Sequence, residues 1–363
     1  MGSILVAAGG GGDAITCAAL SGPLGLSGPS VILTFSWERL MIDPLPGPRS
    51  AADFDGLSEL SAGLFELTSR SAARPPAGSS LPRLAAELSS RIFLLDPSRG
   101  AIGMAEQIGA AARAFGAADL VVVDVGGDSL AVGGEPGLRS PLADQLAIAA
   151  CLRSELPARL LVAGPAIDGE LDTATVTARL KELHADRLTD LTAEDLAPVR
   201  NVFRWHPSEA SGLLAAAAEG RRGYVEVRDA GDQVPLTDDT AGLHVVELDD
   251  LAQTGLATAI TETDSLSAAE AKIDELTGIS EIRYETAKAN RRIERPPVRI
   301  GCDHLPEIDR HASEAAARGA DYISMRRLSE LIGANRLDSY AELGQMLQHE
   351  RPDRYATALY RVN

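Results

Sequence analysis

Short apolar runs recur along the first two-thirds of the chain, separated by segments whose apolar residues fall at helical spacing. The runs at 4–8, 31–36, 91–95, 120–124, 159–163, 224–227 and 244–247 are rich in Val, Ile and Leu and do not alternate with polar residues. A strand with one wet face would alternate, so these predict strands buried on both faces, as in a parallel sheet. The segments 14–20, 104–115, 141–152, 173–183 and 208–219 predict the covering helices. Ser140 before Pro141 is a start signal, because serine accepts from free N–H groups and proline suits the first helical position. The alternation reads as α/β: a Rossmann-like, mostly parallel sheet with helices on both faces.

The pattern weakens at 47–82, which is rich in Ser, Pro, Gly and Ala and reads as an excursion over the sheet edge or the strand ends. From 249 to 292 it becomes polar and helical, ending in Arg291-Arg292-Ile293-Glu294-Arg295-Pro296-Pro297, which reads as a linker. A helix near 307–318, a strand near 322–325 and a helix near 327–332 then make a small C-terminal α/β unit. The expected organisation is a ligand-binding core over 1–248, a helical segment and linker over 249–297, and a unit over 298–363 packed on the core. No internal repeat is visible.

Composition narrows the partners. The 363 residues are 45% hydrophobic and 24% charged, an ordinary globular balance with length for a sizeable core. A net charge of −18 and a pI near 4.8 oppose nucleic acid and anionic membranes. A small-molecule substrate fits better, and homo-oligomers remain compatible. Cys17, Cys151 and Cys302 are scattered and contain no CxxC pair, which suggests a reducing compartment. With no signal-peptide pattern and no membrane-length apolar run, the expected location is cytoplasmic.

The strongest chemical signal is the strand-like Ile4-Leu5-Val6-Ala7-Ala8 followed by Gly9, Gly10, Gly11, Gly12, Asp13 and Ala14. Glycines let a ligand approach backbone N–H groups where a helix dipole favours negative charge. Gly9-x-Gly11-x-x-Ala14 formally meets the dinucleotide fingerprint, with Glu38 roughly where a ribose-binding acid belongs. Asp13 opposes that reading, because its carboxylate in the first turn would repel a pyrophosphate unless a cation intervened. Otherwise Asp13 is a simple helix cap.

A second loop is built alike. Asp124 closes an apolar run, Gly126 and Gly127 bare the backbone, and Asp128 follows. Two carboxylates on a tight turn suit ligand hydroxyls or, with Asp13, a divalent ion such as Mg²⁺; the alternative is that both cap the turn. Gly127-Asp128-Ser129-Leu130 also spells the nucleophile block of GDSL esterases, but that family's other blocks are absent. Arg139 and Ser140 precede a helix, and Arg139 is the natural anion partner. Arg39 and Arg49 could line the same crevice. His206 is the best acid/base residue by type, its imidazole titrating near neutrality. His304 and His311 lack a recognised metal spacing.

Taken together, residues 6–14, 43–49, 123–128 and 138–144 resemble a family of uncharacterised bacterial and archaeal proteins grouped by a domain of unknown function. That resemblance implies one shared site near the glycine loops and supplies no activity, cofactor or catalytic residue. The residues favour a metabolic enzyme acting on a small polar substrate, which could contain a nucleoside, sugar or phosphate, by lyase, hydrolase or group-transfer chemistry. Asp124, Asp128 and His206 are the expected catalytic residues. The alternatives are an NAD(P)- or S-adenosylmethionine-dependent enzyme, and a non-catalytic ligand sensor or assembly subunit.

Overall fold

The computed structural model describes residues 2–26, 30–228, 230–293 and 298–363. Its nine-stranded sheet runs, edge to edge, Asp186–Asp190, Gly242–Glu247, Ala158–Ala163, Asp119–Val125, Ser3–Ala7, Val31–Thr34, Arg91–Leu94, Leu64–Leu67 and Ser58–Ser61. The five central strands are parallel, and the two at each edge are antiparallel. Numbered along the chain, the central five lie in the doubly wound order 3-2-1-4-5. The winding direction therefore switches between Ser3–Ala7 and Asp119–Val125, and the loops leaving those two strands part to leave a crevice.

Each central strand feeds two cores. Ile4, Val6, Leu120 and Val122 point to one face, under helices Gly100–Phe115 and Pro141–Arg153. Leu5, Ala7, Val121 and Val123 point to the other, under Gly11–Ala19 and Glu209–Ala218. Burial on both sides is the physical reason the runs do not alternate. Helix Pro141–Arg153 is buried from Pro141 through Cys151, because helix Leu266–Thr277 covers its outer side. It carries Asp144 and Gln145 into the interior.

The structure departs from the apolar pattern at the margins. The run at 224–227 is a strand, Gly223–Val227, but it belongs to a second sheet in the order Asp232–Leu236, Gly223–Val227, Tyr322–Ser324, Leu359–Arg361, Tyr355–Ala356. The run at 244–247 lies in the main sheet antiparallel to its neighbours. Part of the excursion at 47–82 is an edge hairpin, Ser58–Ser61 with Leu64–Leu67. Its first strand is wholly exposed, so no apolar run announces it. The C-terminal unit adds a helix, Leu337–Glu350, to the expected Leu305–Ala317, Tyr322–Ser324 and Met325–Leu331, and has its own core around Ile308, Leu328 and Tyr360. Of the expected linker, Arg291–Ile293 is the last turn of helix Glu281–Ile293, and 294–297 lie outside the described residues. Among the described residues no helix is long and apolar enough to cross a membrane.

Candidate functional site

The crevice at the switch point is walled by carboxylates. Asp13 comes from the first turn of helix Gly11–Ala19 after Ser3–Ala7, Asp124 from the end of strand Asp119–Val125, Asp128 from the turn that follows it, and Asp168 from the loop after Ala158–Ala163. Asp144, from the first turns of helix Pro141–Arg153, completes the wall. The inner chamber they line is about 90 Å³ and opens into an outer cavity of about 360 Å³. The outer cavity is rimmed by Arg39, Arg139, Arg228, Lys288, Arg291 and Arg326 among further acidic side chains. A small acidic chamber therefore sits behind a mouth of mixed charge, in which basic and acidic side chains are interleaved.

Local chemistry fixes each acid. Helix Gly11–Ala19 has Gly10 at its N-cap with no side-chain cap, so Asp13 is not the cap residue. Its Oδ2 turns back and accepts the Gly9 N–H at 2.7 Å. Gly10 has φ of 117°, and a Cβ there would lie 2.8 Å from the Trp37 carbonyl oxygen, so only glycine fits. Asp124 accepts from Gly127 N at 3.3 Å, from Ser129 N at 3.2 Å and from the Ser129 hydroxyl. Ser129 is fully buried and donates to Asp124, which makes it a prop for the carboxylate and not an exposed nucleophile. Asp128 follows on the same loop and lines the same chamber as Asp124. Gly126, at φ 131°, lets the loop pass against Asp168; a Cβ would sit 2.5 Å from the Asp168 Cγ.

Crowding like charges in a buried chamber favours the protonated forms. Burial, then the Asp124 charge, pushes Asp13 well above the usual carboxylate range. Burial and the neighbouring acids do the same to Asp128 and Asp144. Burial, then Glu170, raises Asp168 to about 7. Asp168 Oδ1 accepts from Glu170 N at 3.1 Å, while its Oδ2 has no hydrogen-bond partner among the described residues. Burial also raises Asp124, although the Ser129 and Gly127 donors oppose it. Glu170 goes the other way: burial is outweighed by Arg228 at 2.9 Å and by donors from Ser140 and Arg139.

Several expected residues take other duties. His206 lines the chamber, but both ring nitrogens are used: Ser208 N donates to Nδ1 at 3.1 Å, and Nε2 contacts Ser80 Oγ at 3.0 Å. The Ser80 hydroxyl in turn donates to Glu38 at 2.6 Å. Burial, then Arg83, lowers His206 to about 3, so the ring is neutral and acts in this structure as a strut. Glu38 is buried and accepts from Ser80 N at 2.7 Å, so its Oε1 is occupied. Arg49 is not brought to the cavity; it pairs with Asp43 at 3.0 Å and donates to Pro46 and Gly47 carbonyls, curling its own loop. Gly11 and Gly12 pack against Glu38 and Ser208. Arg39, Arg139 and Ser140 line the cavity. His304 and His311 lie in the C-terminal unit and line neither the chamber nor its mouth.

The site also contains residues absent from the sequence reading. Asp168 follows a buried strand in Gly164-Pro165-Ala166-Ile167-Asp168-Gly169, the same signal that marks Asp124. Asp144 is an acid inside a mostly apolar helix, also a legible signal. Glu281 and Glu285 come from a polar helix where charged residues are ordinary, and only the fold turns them inward. Glu281 accepts from Leu142 N and Ala143 N at 3.0 and 3.3 Å, and Glu285 from Trp37 Nε1 at 3.1 Å and Gly47 N at 2.8 Å.

The fold and site together define a doubly wound α/β protein with an acidic cavity at its switch point. The chain belongs to the family described as Protein of unknown function (DUF1152), whose model matches residues 4–289. No curated protein and no solved structure matches it. The match contains the whole acidic chamber, and the C-terminal unit that supplies Arg326 to the mouth lies beyond it.

Proposed function

We propose that the protein is a metabolic enzyme acting on a small polar molecule by non-redox chemistry, that is lyase, hydrolase or group transfer. The observation that carries this reading is the convergence of Asp13, Asp124, Asp128, Asp144 and Asp168 on one chamber behind a mouth that includes Arg39 and Arg139. Open α/β sheets bind ligands at this position, outside the carboxyl ends of the strands at the switch point. An anionic part of the substrate is held at the mouth, and its hydroxyl or amine reaches the chamber. Asp124, held by three donors, accepts a substrate proton, while an acid that keeps its proton to higher pH, such as Asp168, returns one. His206 positions Ser80 and Glu38 behind the loop.

The test is a thermal-shift screen of the full chain against sugar phosphates, nucleosides, nucleotides and amino acids, with each hit then assayed for turnover. A ligand at a hundred times its Kd adds about 2.7 kcal/mol of stability, which such a scan resolves. The expected result is a hit that is turned over by wild type and neither bound nor turned over by Asp124→Asn. A hit that binds the Asp124→Asn and Arg228→Ala variants as well as wild type would place the ligand elsewhere and overturn the reading.

A further inference from the structure

We infer that Asp13, Asp124 and Asp144 form a divalent-cation site, and that Arg39 and Arg139 hold the phosphate of a phosphorylated small molecule that shares the cation. This deepens the proposed function and rests on its reading of the cavity as a small-molecule site. One oxygen from each of the three aspartates lies within 4.8 Å of the other two. Oxygens on opposite sides of a Mg²⁺ or Ca²⁺ ion stand about 4–5 Å apart, so the trio already has the span of a coordination shell.

The acids alone would not carry this. The independent observation is Asp144: it is 4% exposed, lines the inner chamber, and accepts no hydrogen bond from any described residue. Its oxygens face the chamber without a donor from the described residues, so their partner has to come from what fills the chamber. Helix Pro141–Arg153 has every opportunity to bury an apolar residue there, as it does at Leu142, Ala143 and Leu146. Among the described residues no arginine or lysine forms an ion pair with Asp13, Asp124 or Asp144, and Arg39 acts on Asp13 only through space. A bound ion would occupy that place, and its binding would release protons held by the cluster.

The mouth supplies the second half. Arg39 and Arg139 line the outer cavity, and their guanidinium groups donate no hydrogen bond to a described residue. Arg39 also reaches the inner chamber, where its charge acts on Asp13. Guanidinium forks match phosphate oxygens, and hard divalent ions are commonly held by a few carboxylates together with substrate phosphates. The Asp13 carboxylate, which opposes a bare pyrophosphate, becomes its anchor once an ion stands between them.

Mn²⁺ binding to the full-length chain, read by calorimetry and by the loss of the free-ion electron paramagnetic resonance signal, tests the cation site without any substrate. One strong ion per chain is expected. Asp144→Asn should weaken it by roughly a hundredfold, the upper range for losing even an outer-shell partner, with no fall in the metal-free melting temperature. Inorganic pyrophosphate should then bind in the presence of Mn²⁺ and not in its absence, and Arg39→Ala with Arg139→Ala should abolish that binding while leaving Mn²⁺ affinity unchanged. No Mn²⁺ binding, or binding unchanged in both Asp144→Asn and Asp124→Asn, overturns the cation site. Pyrophosphate binding that ignores either the ion or the arginines overturns the phosphate grip. A metabolite hit that binds and turns over in chelator leaves the proposed function standing while this inference falls.

Discussion

At the scale of single residues, the unusual member of the site is Asp144. Its carboxyl is buried, has no donor among the described residues and faces Asp13 and Asp124, so its ionised form is destabilising in the folded protein. Asp144→Asn removes that charge in nearly the same volume. The expected outcome in chelator at pH 8 is a melting temperature a few degrees above wild type, with loss of function, the trade-off usual for strained sites. A lower melting temperature would mean that the carboxylate supports the fold. The same residue shows what a sequence can disclose about a site. Asp13 and Asp124 were legible because glycines and a strand end mark where backbone meets ligand. Asp144 and Asp168 carried comparable marks, an acid among apolar helical residues and an acid after a buried strand. Glu281 and Glu285 carried none, because a glutamate on a polar helix looks the same whether it faces water or a cavity. His206 was plausible by type alone, and type does not reveal that Ser208 and Ser80 use both its nitrogens.

At the scale of elements, the helix Glu281–Ile293 links the site to the sheet. Glu281 reaches across to the first turn of Pro141–Arg153 and accepts from Leu142 N and Ala143 N, serving as a cap supplied from elsewhere in the chain. Ser140, the expected cap, gives its hydroxyl to Glu170 and makes no cap bond. Glu281→Ala leaves two buried N–H groups unpaired, and the expected cost is about 1 kcal/mol, typical of losing a cap, read by urea unfolding. An unchanged midpoint would show that water replaces the carboxylate at no cost. Strand and helix legibility follows the same logic of burial. The five parallel strands were readable because both faces are buried, whereas the strands Ser58–Ser61 and Asp186–Asp190 are exposed along their length and leave no apolar trace. Gly223–Val227 reads as a strand but lies in the second sheet, where it pairs with the adjacent Asp232–Leu236 and with the distant Tyr322–Ser324, pairings that a local apolar run does not encode.

At the scale of the whole molecule, the charge of −18 and the acidic chamber act in the same direction as pH changes. Asp168 ordinarily titrates at 3.8 and is raised to about 7 by burial and then Glu170. Between those values the folded state holds a proton that the unfolded chain has released, so stability is fullest below 3.8 and falls as pH rises toward 7. Asp13, Asp128, Asp144 and Glu281 are raised as well, burial being the largest cause for each, and extend the same trend. Glu170 and Glu226 oppose it, since both are lowered by arginine partners despite their burial and lose stability only as pH falls through the acidic range. The raised groups are more numerous within the cavity, and the general negative charge adds self-repulsion that grows with ionisation. The melting temperature of the metal-free chain is therefore expected to decline from pH 5 to pH 8. A divalent ion in the chamber neutralises the charges responsible, so millimolar Mg²⁺ should flatten the decline, and Asp144→Asn should make it shallower without Mg²⁺. Calorimetric scans at constant ionic strength separate these effects from simple screening, because NaCl at matched strength weakens long-range repulsion without filling the chamber. A melting temperature that climbs from pH 5 to pH 8 in chelator would mean that the carboxylates find partners in solution and that the chamber is not strained toward a cation.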